Sequence, residues 1–396
     1  MNIKKVLVTG ANGFFGKNLC VALERYNDLK VFPFDVNNST DELEQYVAQV
    51  DFIFHLAGVN RPKSEIEFTE GNTDLTRQLC GFAEKKNTHT PILLSSSTQS
   101  EQDNAYGRSK KAAEEILISY SRRSKTPVLI YRFPNLFGKW SRPNYNSVVS
   151  TFCYNATHDL PLQVNNPAHT VIFAYIDDVV KECLRQMEEI KVEDWKLDNR
   201  KEGCYYEITD TYSISLGHLA ELVKAFRAVR EGGPVPDLSN SFTKKLYSTF
   251  LSYYDMDALA YPTNMNLDNR GWLFELIKSE QFGQIFVSKT HPGITRGNHG
   301  HDTKVEKFCV IQGRGIIRFR QILTKEIIEY EVSGEKIKVV DIPPGYTHSI
   351  ENIGADEMIT LFWANEIFNP DKPDTYFEEV LTTNSRNEEL VIYTHK

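Results

Sequence analysis

From Met1 to about Val180, short apolar runs alternate with stretches whose apolar residues recur three and four positions apart. KVLVTG, KVFPFD, DFIFHLAG, PILLSSS and PVLIYRF predict strands, while KNLCVALERY and DLTRQLCGFAEKK predict helices between them. A strand with one wet face would alternate apolar and polar residues. These do not, so they read as a parallel sheet covered by helices on both faces. The expected fold of this part is a doubly wound α/β domain.

From about Leu251 the texture changes. GQIFVSKT, EKFCVIQGRGIIRFRQI, IIEYEVSG, EKIKVVDIPP and EMITLFWANEIF are short strand-like runs broken by Gly, Pro and Asn. Such closely spaced strands predict an all-β sandwich or small barrel. The intervening VREGGPVPDLSNSFTKKLYSTF is rich in Gly, Pro and Ser. The expected division is an α/β domain over 1–245, a linker over 246–251 and a β domain over 252–396, its polar end after about Val380 forming a peripheral tail. A chain of 396 residues is long enough for two cores.

The formal charge of −8 argues against a nucleic acid as partner. No apolar run is long enough to span a bilayer, and MNIKKVLVTG passes straight into a strand pattern without the features of a secretory signal. A cytoplasmic protein with no membrane partner is the expectation. Cys20, Cys80, Cys153, Cys183, Cys204 and Cys309 lack metal-site spacing and read as free thiols.

VTGANGFFG follows a predicted strand and opens a predicted helix. Gly10 permits a tight turn, Gly13 lets the backbone approach a pyrophosphate, and Gly16 lets the helix pack close on the strand, with Phe14 and Phe15 in the same loop. In AYGRSK, Tyr106 and Lys110 stand four residues apart, on one face if the stretch is helical. A lysine ammonium beside a phenol favours the phenolate, so that the tyrosine can deliver a proton to a carbonyl oxygen as hydride arrives from a nicotinamide. Upstream, LLSSSTQ ends a strand with hydroxyls able to hold that oxygen. Asp35 ends the second strand, where a carboxylate accepts from a ribose 2′-OH and repels a 2′-phosphate, which favours NADH.

With HLAG, YRFPNLFG and YIDDV following in order, residues 1 to about 245 resemble the extended short-chain dehydrogenase/reductase family, whose dinucleotide domain is Rossmann-like. The resemblance implies Tyr106 as acid, Lys110 as its activator and ribose ligand, and Ser97 as the hydroxyl at the carbonyl, with Ser96 and Thr98 as rivals. It places Leu56, Ala57 and Gly58 along the cofactor, and Arg132 and Asn135 of RFPN at a nucleotide-sugar.

In the second half, a spaced set runs Gly293, His299, His301, Glu306, Gly313, and PPGYTHSIEN offers His348. Strand alternation puts His299 and His301 on one face, with Glu306 reaching the same point from the next segment. Three imidazoles and one carboxylate suit zinc or a similar divalent ion. These residues resemble both cupin motifs, over about residues 252–380, although no glycine stands six residues before Pro343. The implied fold is a jelly roll. DNRG resembles a turn of cupin sugar-nucleotide epimerases, which places Arg270 and Arg296 at the substrate, Arg296 at its diphosphate. A metal there is either structural or a Lewis acid that makes the C–H beside a ketone labile.

The whole order resembles the two-domain enzymes of capsule and O-antigen synthesis. That resemblance implies a UDP-linked keto-sugar substrate, NADPH, zinc and a homodimer formed through the cupin. It implies C3 epimerisation of UDP-2-acetamido-2,6-dideoxy-4-hexulose and reduction at C4, on the route to N-acetyl-L-fucosamine. The alternatives are a reductase whose cupin only dimerises or senses a ligand, and a non-catalytic NAD(P)-binding regulator.

Overall fold

The computed structural model describes residues 4–59, 64, 66–190, 204–323 and 325–381, so the tail expected after Val380 lies outside them apart from Leu381. The chain divides into two compact units, 1–223 with 245–254 and 224–244 with 255–396. Residues 246–251, expected as a linker, instead end the helix Ser241–Leu251. Phe242, Leu246 and Phe250 recur every four residues and are buried, an apolar stripe that the neighbouring Gly and Pro residues obscured in the sequence.

In the first unit, β1 (Lys4–Thr9), β2 (Leu29–Phe34), β3 (Phe52–His55), β4 (Ile92–Ser97), β5 (Val128–Phe133) and β8 (Tyr205–Tyr206) form a sheet in the order β2-β1-β3-β4-β5-β8. The pairings along it are all parallel. Successive residues feed opposite cores: Val6, Val8, Phe52, Phe54, Leu129 and Tyr131 pack on one face. Leu7, Ile53, Ile92, Leu94, Val128 and Ile130 pack on the other. This is the doubly wound α/β fold expected from unbroken apolar runs. The chain leaves β1 toward β2 on one side and β3 on the other, which opens a crevice beyond the carboxyl end of β1. A small second sheet, β6 (Asn135–Phe137), β7 (Thr170–Tyr175) and β9 (Thr211–Ser215), completes the unit.

Capping fixes where the key helix begins. Asn104 accepts a hydrogen bond from Gly107 N at 2.7 Å, starting the helix Ala105–Ser124 one residue before Tyr106.

The second unit is all-β. One sheet runs β10-β11-β12-β19-β14-β17 (Met265–Asp268, Gly271–Ser279, Gly283–Thr290, Met358–Ala364, Glu306–Gln312, Val339–Ile342). The other runs β16-β15-β18-β13-β20 (Ile327–Ser333, Arg314–Gln321, Tyr346–Asn352, Thr295–Gly300, Tyr376–Phe377). Phe308, Val310, Met358 and Phe362 of the first sheet share one core with Ile317, Phe319, Val332 and Ile350 of the second. The two antiparallel sheets thus enclose an interior, as the jelly-roll expectation requires. Among the described residues no helix is long and apolar enough to cross a membrane.

Candidate functional site

The glycine loop sits where β1 meets its helix. Gly10 has φ +70°, and a Cβ there would stand 2.7 Å from the backbone of Ala57; a Cβ on Gly16 would stand 2.1 Å from Gly10 O. Only glycine satisfies this packing. Gly10, Gly13, Phe14, Phe15, Gly16, Leu56 and Gly58 line a cavity of about 320 Å³ whose far wall carries Ser97, Tyr106 and Lys110. Phe15 also packs edge-on against Phe133 at 5.4 Å, so its main part is in the core. Ala57 contributes backbone, its N–H donating to Thr9 Oγ1 at 3.2 Å. The cradle left open by the glycines, with a tyrosine and a lysine opposite, fits a dinucleotide lying along the loop.

Asp35 accepts from Asn12 N at 2.7 Å and from Val36 N at 2.8 Å, which ties β2 to the glycine loop. His55 of HLAG is a structural residue: its ring bonds Thr9 Oγ1 and Thr76 Oγ1, each at 2.8 Å. Burial, then Lys110, pushes its pKa down to about 3, so it stays neutral.

The hydroxyl rivals separate. Ser97 Oγ opposes the rise in the Tyr106 pKa from within the same cavity and accepts from Gln99 N at 3.1 Å, whereas Ser96 Oγ donates to the buried Glu114 carboxylate at 2.5 Å. Thr98 begins the short turn after β4. Burial raises the Tyr106 pKa, with Ser97 opposing, so the phenol holds its proton at neutral pH. Lys110 Nζ donates to Ser95 O at 2.8 Å and is almost wholly buried. Burial, partly offset by Glu114, pushes its pKa down to about 8.

A second, larger cavity of about 1400 Å³ adjoins the first, sharing Thr98, Asn135, Tyr145 and Ser147 with it. Asn135, expected at the nucleotide-sugar, lines both cavities. Arg132 lines only the larger one, and its charge is already committed. Its Nε and Nη2 reach Glu114 at 3.0 and 2.7 Å, and Nη1 reaches Glu101 at 2.7 Å. Arg132, expected at the nucleotide-sugar, thus lines the larger cavity with both faces of its fork met by carboxylates.

In the second unit, one candidate ligand atom from each of His299, His301, Glu306 and His348 falls within 4.8 Å of all the others. His299 of β13 pairs directly with His348 of β18 across a bulge at Asn298, which has φ +61°. Glu306 comes from the facing sheet. His301 Nδ1 donates to Asp374 O, since a carbonyl can only accept, and its Nε2 lies 3.3 Å from Glu306 Oε2. Both ring nitrogens of fully buried His348 lack a hydrogen-bond partner, although Nε2 lies 3.3 Å from Glu306 Oε2. Burial works against charge on Glu306, but His301, His348 and Lys304 hold its carboxyl well below the usual range. Burial and the neighbouring His348 and His301 push His299 down to about 4. Burial disfavours charge on His299 and His348, and those imidazoles, an anionic carboxylate and a buried ring without hydrogen-bond partners make a donor set that suits a divalent transition ion. His299, His301, Glu306 and His348 would hold it.

Arg270 folds back on Asp268, with Nε to Oδ2 at 2.9 Å, and Arg296 Nε reaches Thr290 Oγ1 at 3.0 Å. Burial lowers the Arg296 pKa and the nearby Arg270 charge lowers it further, so the two cations face a common region.

Residues 6–197 match the NAD dependent epimerase/dehydratase family and residues 266–376 match the polysaccharide biosynthesis C-terminal domain. A UDP-2-acetamido-2,6-beta-L-arabino-hexul-4-ose reductase from Pseudomonas aeruginosa is 45% identical over 94% of this chain and 98% of its own. The crystal structure of the capsular polysaccharide assembling protein CapF from Staphylococcus aureus superposes with a TM-score of 0.86, at 44% identity, over 96% of this chain and all of its own. The chain belongs to the CapF family. Like its relatives, this CapF-family chain joins a nicotinamide-dinucleotide fold to an antiparallel β domain. Its family does not by itself assign Lys304, Glu114, Asp374 or the segment 141–147, which the structure brings to the sites. The sequence reading passed over Glu114 and Asp374 because their partners are distant in the chain.

Proposed function

We propose that this protein is a bifunctional sugar-nucleotide enzyme of capsule or O-antigen synthesis. Its β domain epimerises C3 of UDP-2-acetamido-2,6-dideoxy-4-hexulose, and its α/β domain reduces the C4 ketone to give UDP-2-acetamido-2,6-dideoxy-L-talose. The observation that carries the reading is the grouping of Ser97, Tyr106 and Lys110 opposite the glycine loop. A reduced nicotinamide bound along that loop supplies hydride to C4. Ser97 holds the carbonyl oxygen, and Tyr106, kept protonated by burial, gives it the balancing proton. Lys110 presents positive charge behind the phenol and steadies the phenolate left behind.

In the β domain a divalent ion, zinc or a similar metal, would supply Lewis acidity beside a ketone. The protein's part is to hold the keto-sugar over the histidine cluster, with Arg270 and Arg296 opposing its phosphates, while a proton leaves C3 and returns to the other face. A homodimer built through the β domain and a cytoplasmic setting accompany this reading. Asp35 supports NADH, and the family resemblance supports NADPH.

Incubation with the 4-keto sugar nucleotide in D2O without reduced cofactor is the test. Deuterium entering at C3 is expected. NADH and NADPH added in parallel then report the reductase by loss of absorbance. Absence of exchange removes the epimerase, and absence of oxidation with both cofactors removes the reductase.

A further inference from the structure

We propose that Arg142 is the anchor for the diphosphate of the sugar nucleotide in the α/β domain. The inference rests on the function proposed above and assigns a residue to it. A nucleoside diphosphate brings at least two negative charges, and the cavities that must receive it hold few cations to meet them. Arg132 lines the larger cavity but is neutralised by Glu114 and Glu101. Glu101 and Glu207 add negative charge to the same wall. Lys110 lies deep in the smaller cavity and is bonded to Ser95 O, where it serves Tyr106. Arg142 is the lysine or arginine left, and among the described residues it has no carboxylate partner.

Its placement suits the task. Arg142 lines the smaller cavity across from the glycine loop, and its guanidinium lies 5.3 Å from the ring centre of Tyr145. Tyr145 lines both cavities, so the guanidinium beside it stands next to their junction. A ring beneath it orients the planar fork without consuming its hydrogen-bond donors.

The backbone carrying Arg142 is pinned. Tyr253 Oη donates to Ser141 O at 2.7 Å, Ser150 Oγ donates to Arg142 O at 3.2 Å, and Asn144 N donates to Thr151 Oγ1 at 3.0 Å. The side chain is exposed and uncommitted while its base is fixed, as a ligand clamp needs.

The test uses the full chain, carrying Arg270→Met and Arg296→Met in the titrated samples so that the β-domain phosphate site is silent, and calorimetric titration with UDP, with uridine, and separately with NADH and NADPH. In Arg142→Met, UDP affinity is expected to fall about 10-fold or more, the effect of losing charge-assisted hydrogen bonds. Uridine and cofactor affinities should stay within about twofold, and Arg142→Lys should recover part of the loss. In turnover, KM for the keto-sugar nucleotide rises more than kcat falls. Unchanged UDP affinity in Arg142→Met overturns the assignment, as does a loss confined to the cofactor. Failure of the unaltered protein to bind UDP overturns the proposed function itself.

Discussion

Arg132 grips Glu114 with two parallel hydrogen bonds, and the same carboxylate accepts from Ser96 and from Tyr205 Oη at 3.1 Å. Ser96 is flanked by Ser95, whose carbonyl holds Lys110, and by Ser97, which lines the same cavity as Tyr106. The ion pair therefore fixes the end of β4 on which the reductive chemistry depends. Arg132→Met would leave Glu114 buried without its cation, at a cost of about 3–5 kcal/mol. Urea unfolding checks this. UDP affinity should change much less than in Arg142→Met, which separates a strut from a ligand.

Tyr106→Phe removes the proton donor without disturbing the β domain. NAD(P)H oxidation is expected to fall by a factor of at least about 100, the usual worth of a positioned acid. Deuterium entry at C3 should persist. Loss of both activities together would count against two separate sites.

The Lys110 ammonium, with a pKa near 8, places an alkaline limit on the reductase. In kcat/KM the rate should fall as pH rises through about 8, since the charge behind Tyr106 is lost. Stability should move the other way. The pKa is lowered in the folded state, so the unfolded chain binds more protons between about 8 and its ordinary value near 10.4, and folding grows more favourable across that window. Thermal melts between pH 7.5 and 10 in Lys110→Met and the unaltered protein read this contribution by difference.

His348→Ala removes the fully buried imidazole and its two orphaned nitrogens. Metal content by elemental analysis should drop to near zero, and the stabilisation that added Zn²⁺ gives the unaltered protein should vanish. If the variant retains a full complement of metal, the four-residue centre is misassigned.

Both folds were legible because their signals are local. Val6, Leu7 and Val8 are all apolar since each face of the sheet is covered, and the Gly, Pro and Asn breaks after residue 251 mark real turns. Several candidate site residues lie close together in the chain, Tyr106 with Lys110 and His299 with His301 and Glu306, while His348 stood out by the turn that precedes it. Hidden were the pairings made across the fold. Nothing in RFPN says that Glu114, eighteen residues earlier, will claim Arg132. Ser96 and Ser97 are chemically alike in sequence and differ only in which way β4 turns each hydroxyl. The stretch 246–251 read as a linker because the upstream Gly and Pro residues outweighed the four-residue recurrence of Phe242, Leu246 and Phe250.

The carbonyl of Asp374 lies 73 residues beyond the histidine it orients, and the Asp374 carboxylate also gathers the N–H groups of Asp302, Thr303 and Lys304 beneath it. During synthesis on the ribosome, His301 and the loop after it would emerge long before this clasp. The four-residue pocket thus acquires its final shape only after Asp374 has been made, so an ion bound there would be seated after the strands that carry its ligands.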